Sequence, residues 1–278
     1  MRSDVLVGGY VLSYLQAGAA DDPVVLLLHG LASDSETWDR ALEPLAARGF
    51  RVLALDLIGH GRSDKPDTSY ELAELAASVK AFLDAVGVES ATLCGHSWGG
   101  AIAMAVASEY PATVDALVLV SAGGLGREVH PLLRAAALPV APYVLRAATR
   151  PRLRRWYNHP RVHRALRLTE DNLVNLRRAG RALGDPNGQS SFFASLRGVI
   201  EVGGQRGSFI DMGRLSAERP TLLLWTEGDP VIPVAHARAA HAHLPGSRLV
   251  VLPGGGHEPH RRDPERFADE VAAFLLSH

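Results

Sequence analysis

Cysteine is almost absent from this chain. A single residue, Cys94, occurs in 278, which excludes any intramolecular disulfide and fits a reducing compartment. Cys94 lies in an apolar stretch and reads as a small buried hydrophobe. An excess of charge is missing too. The 29 basic and 30 acidic residues leave a formal net charge of −1, so the whole molecule offers no electrostatic case for nucleic acid or a membrane surface as partner. No run approaches the ~18 consecutive apolar residues that a bilayer span requires. The first residues, MRSDVLVGGYVLSYLQAG, are broken by Asp4 and Gly8-Gly9 and lack the apolar core of a signal peptide. A cytoplasmic location without stable membrane insertion is the expectation. Internal repeats and low-complexity tracts are likewise missing.

What is present is a composition suited to one large core: 47% hydrophobic residues with a mean hydropathy of +0.03. Val24-Val25-Leu26-Leu27-Leu28 is an unalternating apolar run of the length expected for a strand buried on both faces. Before it, residues 5–15 predict a hairpin turning at Gly8-Gly9. After it, strands and helices alternate. Helices are predicted over 36–48, 70–86, 98–109, 234–243 and 264–276. Strands are predicted over 50–55, 92–94, 115–120, 221–225 and 248–252. That rhythm predicts an α/β fold with a doubly wound, mostly parallel sheet. It breaks between about Gly123 and Arg219, where prolines chop a helix-like stretch into short pieces. The expected organisation is therefore a core of residues 1–122 and 220–278 with a helical cap of residues 123–219. Within the cap, residues 146–181 hold eleven arginines against Glu170 and Asp171. This composition suits a solvated outer face, or a means of attracting an anionic substrate or lipid headgroups.

The stretch ATLCGHSWGGA at 91–101 carries the chemistry. Gly95-x-Ser97-x-Gly99 matches G-x-S-x-G, a sharp turn from strand to helix that lifts a serine out of the backbone. A short apolar strand precedes it and a helix of small residues follows, as the motif demands. A serine hydroxyl is a weak nucleophile until a base takes its proton. Asp229 in TEGDPVIP and His257 in PGGGHEPH follow later strands, in the order serine, acid, histidine. Both stand at strand ends, where open α/β sheets bind their ligands. Glu227 ranks behind Asp229 because it comes earlier in the turn, and His260 reads as a loop histidine. His96 should point away from its neighbour Ser97 and pack. His29 reads as a structural residue of its turn. A tetrahedral intermediate also needs donors for its oxyanion, and the amides of Trp98 and of Leu31, in the turn His29-Gly30-Leu31, are the candidates.

These motifs, together with DLIGHGRSDKP at 56–66 and GGGHEPHRRDPERF near the end, resemble the α/β-hydrolase superfamily. The resemblance spans nearly the whole chain outside the cap. It implies the α/β-hydrolase fold with a catalytic Ser97, Asp229 and His257, an oxyanion hole at Leu31 and Trp98, a structural role for residues 56–63, and no cofactor or metal. Epoxide hydrolases and haloalkane dehalogenases of this superfamily carry aspartate where Ser97 stands, which argues against both activities. Its carbon–carbon bond hydrolases typically place a tryptophan soon after the histidine, where this chain has Glu258-Pro259-His260. The leading expectation is a serine hydrolase acting on a small-molecule carboxylic ester with a fairly apolar part. The alternatives are a carbon–carbon bond hydrolase of the meta-cleavage type and a non-catalytic ligand receptor. Leu31, Trp98, Phe192 and Phe193 are the expected substrate contacts, with Leu132, Leu133, Leu138, Val140, Tyr143 and Val144 as further pocket candidates. The oligomeric state is left open.

Overall fold

The computed structural model describes residues 1–148, 178, 180–209, 219–244 and 246–278. Among them, eight strands form one sheet: β1 (Arg2–Val7), β2 (Tyr10–Ala17), β3 (Val24–Leu28), β4 (Arg51–Leu55), β5 (Ala91–His96), β6 (Val114–Val120), β9 (Thr221–Gly228) and β10 (Arg248–Gly255). Their order is β1-β2-β4-β3-β5-β6-β9-β10. The first two pairings, β1 with β2 and β2 with β4, are antiparallel, and the rest are parallel. The sheet is thus mostly parallel, as the alternation of strands and helices predicts. The hairpin turns at Gly8-Gly9, both at positive φ (57° and 90°).

The apolar run in β3 shows why it does not alternate. Leu26 and Leu28 enter the core on one face of the sheet, which also holds α2 (Leu72–Ala85) and α3 (Trp98–Glu109). Val25 and Leu27 enter the other, against α1 (Asp39–Ala46) and the C-terminal helix Pro264–Leu275. Period-2 side chains buried on both faces must all be apolar. Two helix starts differ from the expectation. Residues 35–38 form a 3-10 turn, capped by the Asp34 carboxylate accepting from the Glu36 amide at 3.1 Å, before α1 begins. Tyr70 has φ 53°, a left-handed conformation incompatible with a helix interior, so α2 starts at Leu72 rather than at residue 70.

Between β6 and β9 the described residues contribute nothing to the main sheet. They form α4 (Pro131–Ala136), α5 (Ala141–Ala148), α6 (Pro186–Val199) and a small hairpin, β7 (Ile200–Glu201) with β8 (Gly204–Gln205). Phe192, Phe193, Leu196, Val129 and Ile200 make a third apolar cluster there. Leu132, Val140, Tyr143 and Val144 are exposed instead. Most of the arginine-rich stretch lies outside the described residues. Of its described arginines, Arg146 lies in α5, Arg181 pairs with Glu36 at 2.8 Å, and Arg178 is buried with one guanidinium nitrogen donating to the Glu36 carbonyl at 2.5 Å. Among the described residues no helix is long and apolar enough to cross a membrane.

Candidate active site

Pairing of β3 with β5 sets Leu28 opposite Gly95, so the turns that leave both strands run side by side. Ser97 sits between β5 and α3 with φ 54° and ψ −119°, a backbone conformation that L residues rarely hold and that marks sites where strain serves a purpose. Its amide donates to the Val120 carbonyl at 3.0 Å, and its carbonyl accepts from the amides of Gly100 (3.0 Å) and Gly123 (2.8 Å). The glycines make the close approach possible. A Cβ on Gly95 would stand 2.3 Å from the Gly99 carbonyl oxygen, and one on Gly99 would stand 2.3 Å from that of Leu28. Gly99→Ala is therefore expected to destabilise the fold by roughly 3 kcal/mol, the scale of an overpacked core. Gly8→Asn, with open space around it and a residue type that tolerates positive φ, should be near neutral. Denaturant midpoints of the two variants would check the contrast.

His257 lies just beyond β10, and its Nδ1 stands 2.9 Å from Asp229 Oδ2 and 3.1 Å from Oδ1. The Asp229 carboxylate is fully buried and also accepts from the amides of Val231 (2.8 Å) and Ile232 (3.0 Å). Burial by itself would raise its pKa. The His257 bond and charge and the Val231 amide outweigh burial, so the group titrates below the usual carboxylate value. Glu227 points elsewhere, 3.6 Å from Arg238 and exposed. With Nδ1–H given to Asp229, His257 Nε2 is left as a base; it is buried and without a hydrogen-bond partner among the described residues. Ser97 and His257 line the same cavity of about 500 Å3, and no hydrogen bond joins them in this structure. Catalytic hydrogen bonds are often long in the free enzyme and tighten only with substrate.

Leu31 and Trp98 flank Ser97 from the two turns. A Cβ on Gly30 would lie 3.2 Å from Ser97 Cβ, which shows how closely the β3 turn passes the serine. Trp98 is the first residue of α3, where amide N–H groups have no partner within the helix and the helix dipole favours negative charge. Leu31, Trp98 and Ser97 also line a second, narrower cavity of about 80 Å3. Phe192 and Phe193 line neither of the two serine cavities. They pack on each other, with ring centroids 5.1 Å apart, and their cluster borders both serine cavities through Leu31 and Leu133 and the narrow one also through Val129, Val199 and Ile200. Leu132 and Leu133 do line the wide cavity.

A role for His96 that its sequence position does not reveal is contact with the loop carrying His257. The His96 Nε2–H donates to the His257 backbone carbonyl at 2.8 Å, joining the residue beside the serine to the histidine itself. Its ring also packs against those of His257 and His260, and His260 packs on Trp38 with centroids 4.1 Å apart. Burial and the neighbouring His257 lower the His96 pKa to about 4, and burial holds His260 well below the ordinary histidine value. His260 is thus a core residue rather than a loop one. His29 is satisfied on both sides, Nδ1 with the Gly30 carbonyl and Nε2 accepting from the Leu57 amide. Asp56, at the head of the glycine-rich loop, is fully buried and ties Arg2 (2.9 Å), the Ser35 amide (2.6 Å) and the Arg62 amide (3.0 Å) together. Among the described residues no group of three His, Cys, Asp or Glu side chains could hold a metal ion.

Comparison with known proteins places these features in context. A sequence profile described as alpha/beta hydrolase fold matches residues 23–264. An uncharacterized protein of Mycobacterium tuberculosis is 36% identical over 278 residues, covering 97% of this chain and 79% of its own. A 2-hydroxy-6-oxo-6-(2'-aminophenyl)hexa-2,4-dienoic acid hydrolase of Metapseudomonas resinovorans is 28% identical, covering 98% of this chain and 89% of its own. Among solved structures, an esterase from Rhodococcus is 26% identical with a TM-score of 0.72, covering 99% of this chain and 98% of its own.

Proposed function

The chain belongs to the alpha/beta hydrolase family, and within it we propose a serine hydrolase that cleaves a carboxylic ester through an acyl-enzyme. The observation that carries this reading is the Asp229–His257 pair, whose free Nε2 borders the cavity that also holds the strained Ser97. In this mechanism His257 Nε2 takes the Ser97 hydroxyl proton as Oγ attacks the ester carbonyl. Asp229 fixes the imidazole tautomer and stabilises the imidazolium. The amides of Leu31 and Trp98 receive the charge on the carbonyl oxygen, each contributing roughly 3 kcal/mol in the transition state. The alcohol leaves with the proton from His257, and water activated by the same imidazole then releases the acid. Within the proposed cap of residues 123–219, Leu132 and Leu133 give the wide cavity an apolar rim.

A fluorophosphonate probe is expected to label Ser97 in the folded protein and to leave Ser97→Ala unlabelled, with p-nitrophenyl ester turnover lost in the same variant. Failure to label would favour a non-catalytic ligand receptor. The carbon–carbon bond hydrolase is the second reading, supported by the Metapseudomonas relative and by the buried Arg178 at the wall of the wide cavity, a cation suited to a substrate carboxylate. A large preference for a vinylogous diketone over esters would replace the esterase reading with it.

A further inference from the structure

Two cavities meet at Ser97, and they differ in size, lining and access to His257. The wide one, about 500 Å3, is bordered by His257, Arg178 and Glu258. The narrow one, about 80 Å3, is bordered by Trp98, Leu31, Phe209, Ile232 and Val199 but not by His257. Proton bookkeeping in the acylation step distinguishes them. Ser97 Oγ forms a bond to the carbonyl carbon while its proton passes to His257 Nε2. The carbon–oxygen bond to the alcohol then breaks, and the departing oxygen takes that same proton. The leaving oxygen must therefore lie within hydrogen-bond reach of His257, on the side that His257 borders. With the carbonyl oxygen directed at the amides of Leu31 and Trp98, the acyl chain takes the remaining direction, past Trp98.

Resting on the serine hydrolase reading above, we propose that the narrow cavity is the acyl site and the wide cavity the alcohol site, so that the preferred substrates are esters of short acids with bulky alcohols. A cavity of about 150 Å3 is enough to hold benzene, and the narrow one is only about 80 Å3, which suits a few carbons. The wide one, at about 500 Å3, has the volume of sites that take whole drug-sized groups. The narrow site is also braced against expansion. Gln205 Oε1 accepts from the Gly124 amide at 2.7 Å, and its Nε2 donates to the Glu128 carbonyl at 3.2 Å, pinning the small hairpin to the loop after β6. Phe209 and Ile232 are buried, and the Ile232 amide is held by Asp229.

The test uses two ester series on the purified protein. Benzyl esters from acetate through butanoate and hexanoate to octanoate vary the acyl side. Acetate esters of ethanol, benzyl alcohol and naphthylmethanol vary the alcohol side. The expected kcat/KM is highest at acetate to butanoate and falls tenfold or more by octanoate, the scale of misfit in an apolar pocket. Enlarging the alcohol is expected to leave it level or raise it. Val199→Ala, which trims one wall of the narrow cavity, is expected to move the acyl optimum toward hexanoate without changing the alcohol profile. An octanoate optimum, a flat acyl profile, or a Val199→Ala effect confined to the alcohol series would overturn the assignment. Fluorophosphonate labelling of Ser97 separates the two levels. Labelling with the wrong ester profile sinks the assignment alone, whereas no labelling sinks the hydrolase reading and the assignment together.

Discussion

His257→Ala is expected to lower kcat for a good ester by roughly 10^6-fold while the protein remains folded, because a serine nucleophile and its base act as one unit. The double variant Ser97→Ala/His257→Ala should be no worse than either single one. Asp229→Asn is expected to cost roughly 10^4-fold, since an amide neither stabilises the imidazolium nor enforces the tautomer that leaves Nε2 free. This ranking follows from what each side chain touches. His257 Nε2 has no hydrogen-bond partner among the described residues, while Asp229 bonds to Nδ1 at 2.9 and 3.1 Å. Asp229 is held in its ionised form by the His257 bond and the Val231 amide against the opposing effect of burial, so its own titration should not limit activity near neutral pH. Steady-state kinetics on the four variants, with thermal unfolding as the control for folding, would check the ranking. Activity of His257→Ala within tenfold of the parent would remove it from the role of base.

Acidification from pH 7 to pH 5 is expected to destabilise the fold by about 4 kcal/mol through two side chains alone, His60 and His96. Burial, with the charge of a neighbouring histidine in support, lowers the first to about 3 and the second to about 4. The direction follows from linkage. In the unfolded chain these rings take up protons as pH falls through about 6.5, while in the folded protein they stay neutral. Their contribution is therefore complete above pH 6.5 and is withdrawn as pH drops toward their folded values, at about 2 kcal/mol each by pH 5. His260 and His29 are lowered for the same first reason, burial, and act in the same direction. Domains of this kind hold only about 5 to 15 kcal/mol in total, so a loss on this scale is large. Asp56 and Asp229 also have lowered values, but their contribution disappears only below the ordinary carboxylate range. Denaturant titrations at pH 7 and pH 5 measure the drop, and His96→Gln should remove about half of it. Equal stability at the two pH values would contradict the picture of buried neutral imidazoles.

The features legible in the sequence share a physical cause: each is local. The apolar run of β3 and the glycines around Ser97 are dictated by burial and steric limits that act within a few residues. Strand ends set the neighbourhood of Asp229 and His257, and the structure brings these two side chains together, leaving Glu227 in solvent beside Arg238. The less legible features depend on partners distant in the chain. Phe192 and Phe193 are apolar and buried, yet they line neither serine cavity themselves, while Val129 and Ile200 of their cluster line the narrow one. Tyr70 gives no sign in its residue type of the positive φ that delays the start of α2 to Leu72. The bond from His96 to the His257 carbonyl spans 161 positions, and nothing in a G-x-S-x-G motif encodes it.

That same separation has a bearing on biosynthesis. A chain emerging from the ribosome at about 5 to 20 residues per second completes β5 and the turn bearing Ser97 many seconds before the loop after β10 exists. Throughout that interval Ser97, the proposed nucleophile, has no base. Under the proposed mechanism the nascent protein is chemically silent, and hydrolytic competence arrives only when its last parallel strand docks beside β9.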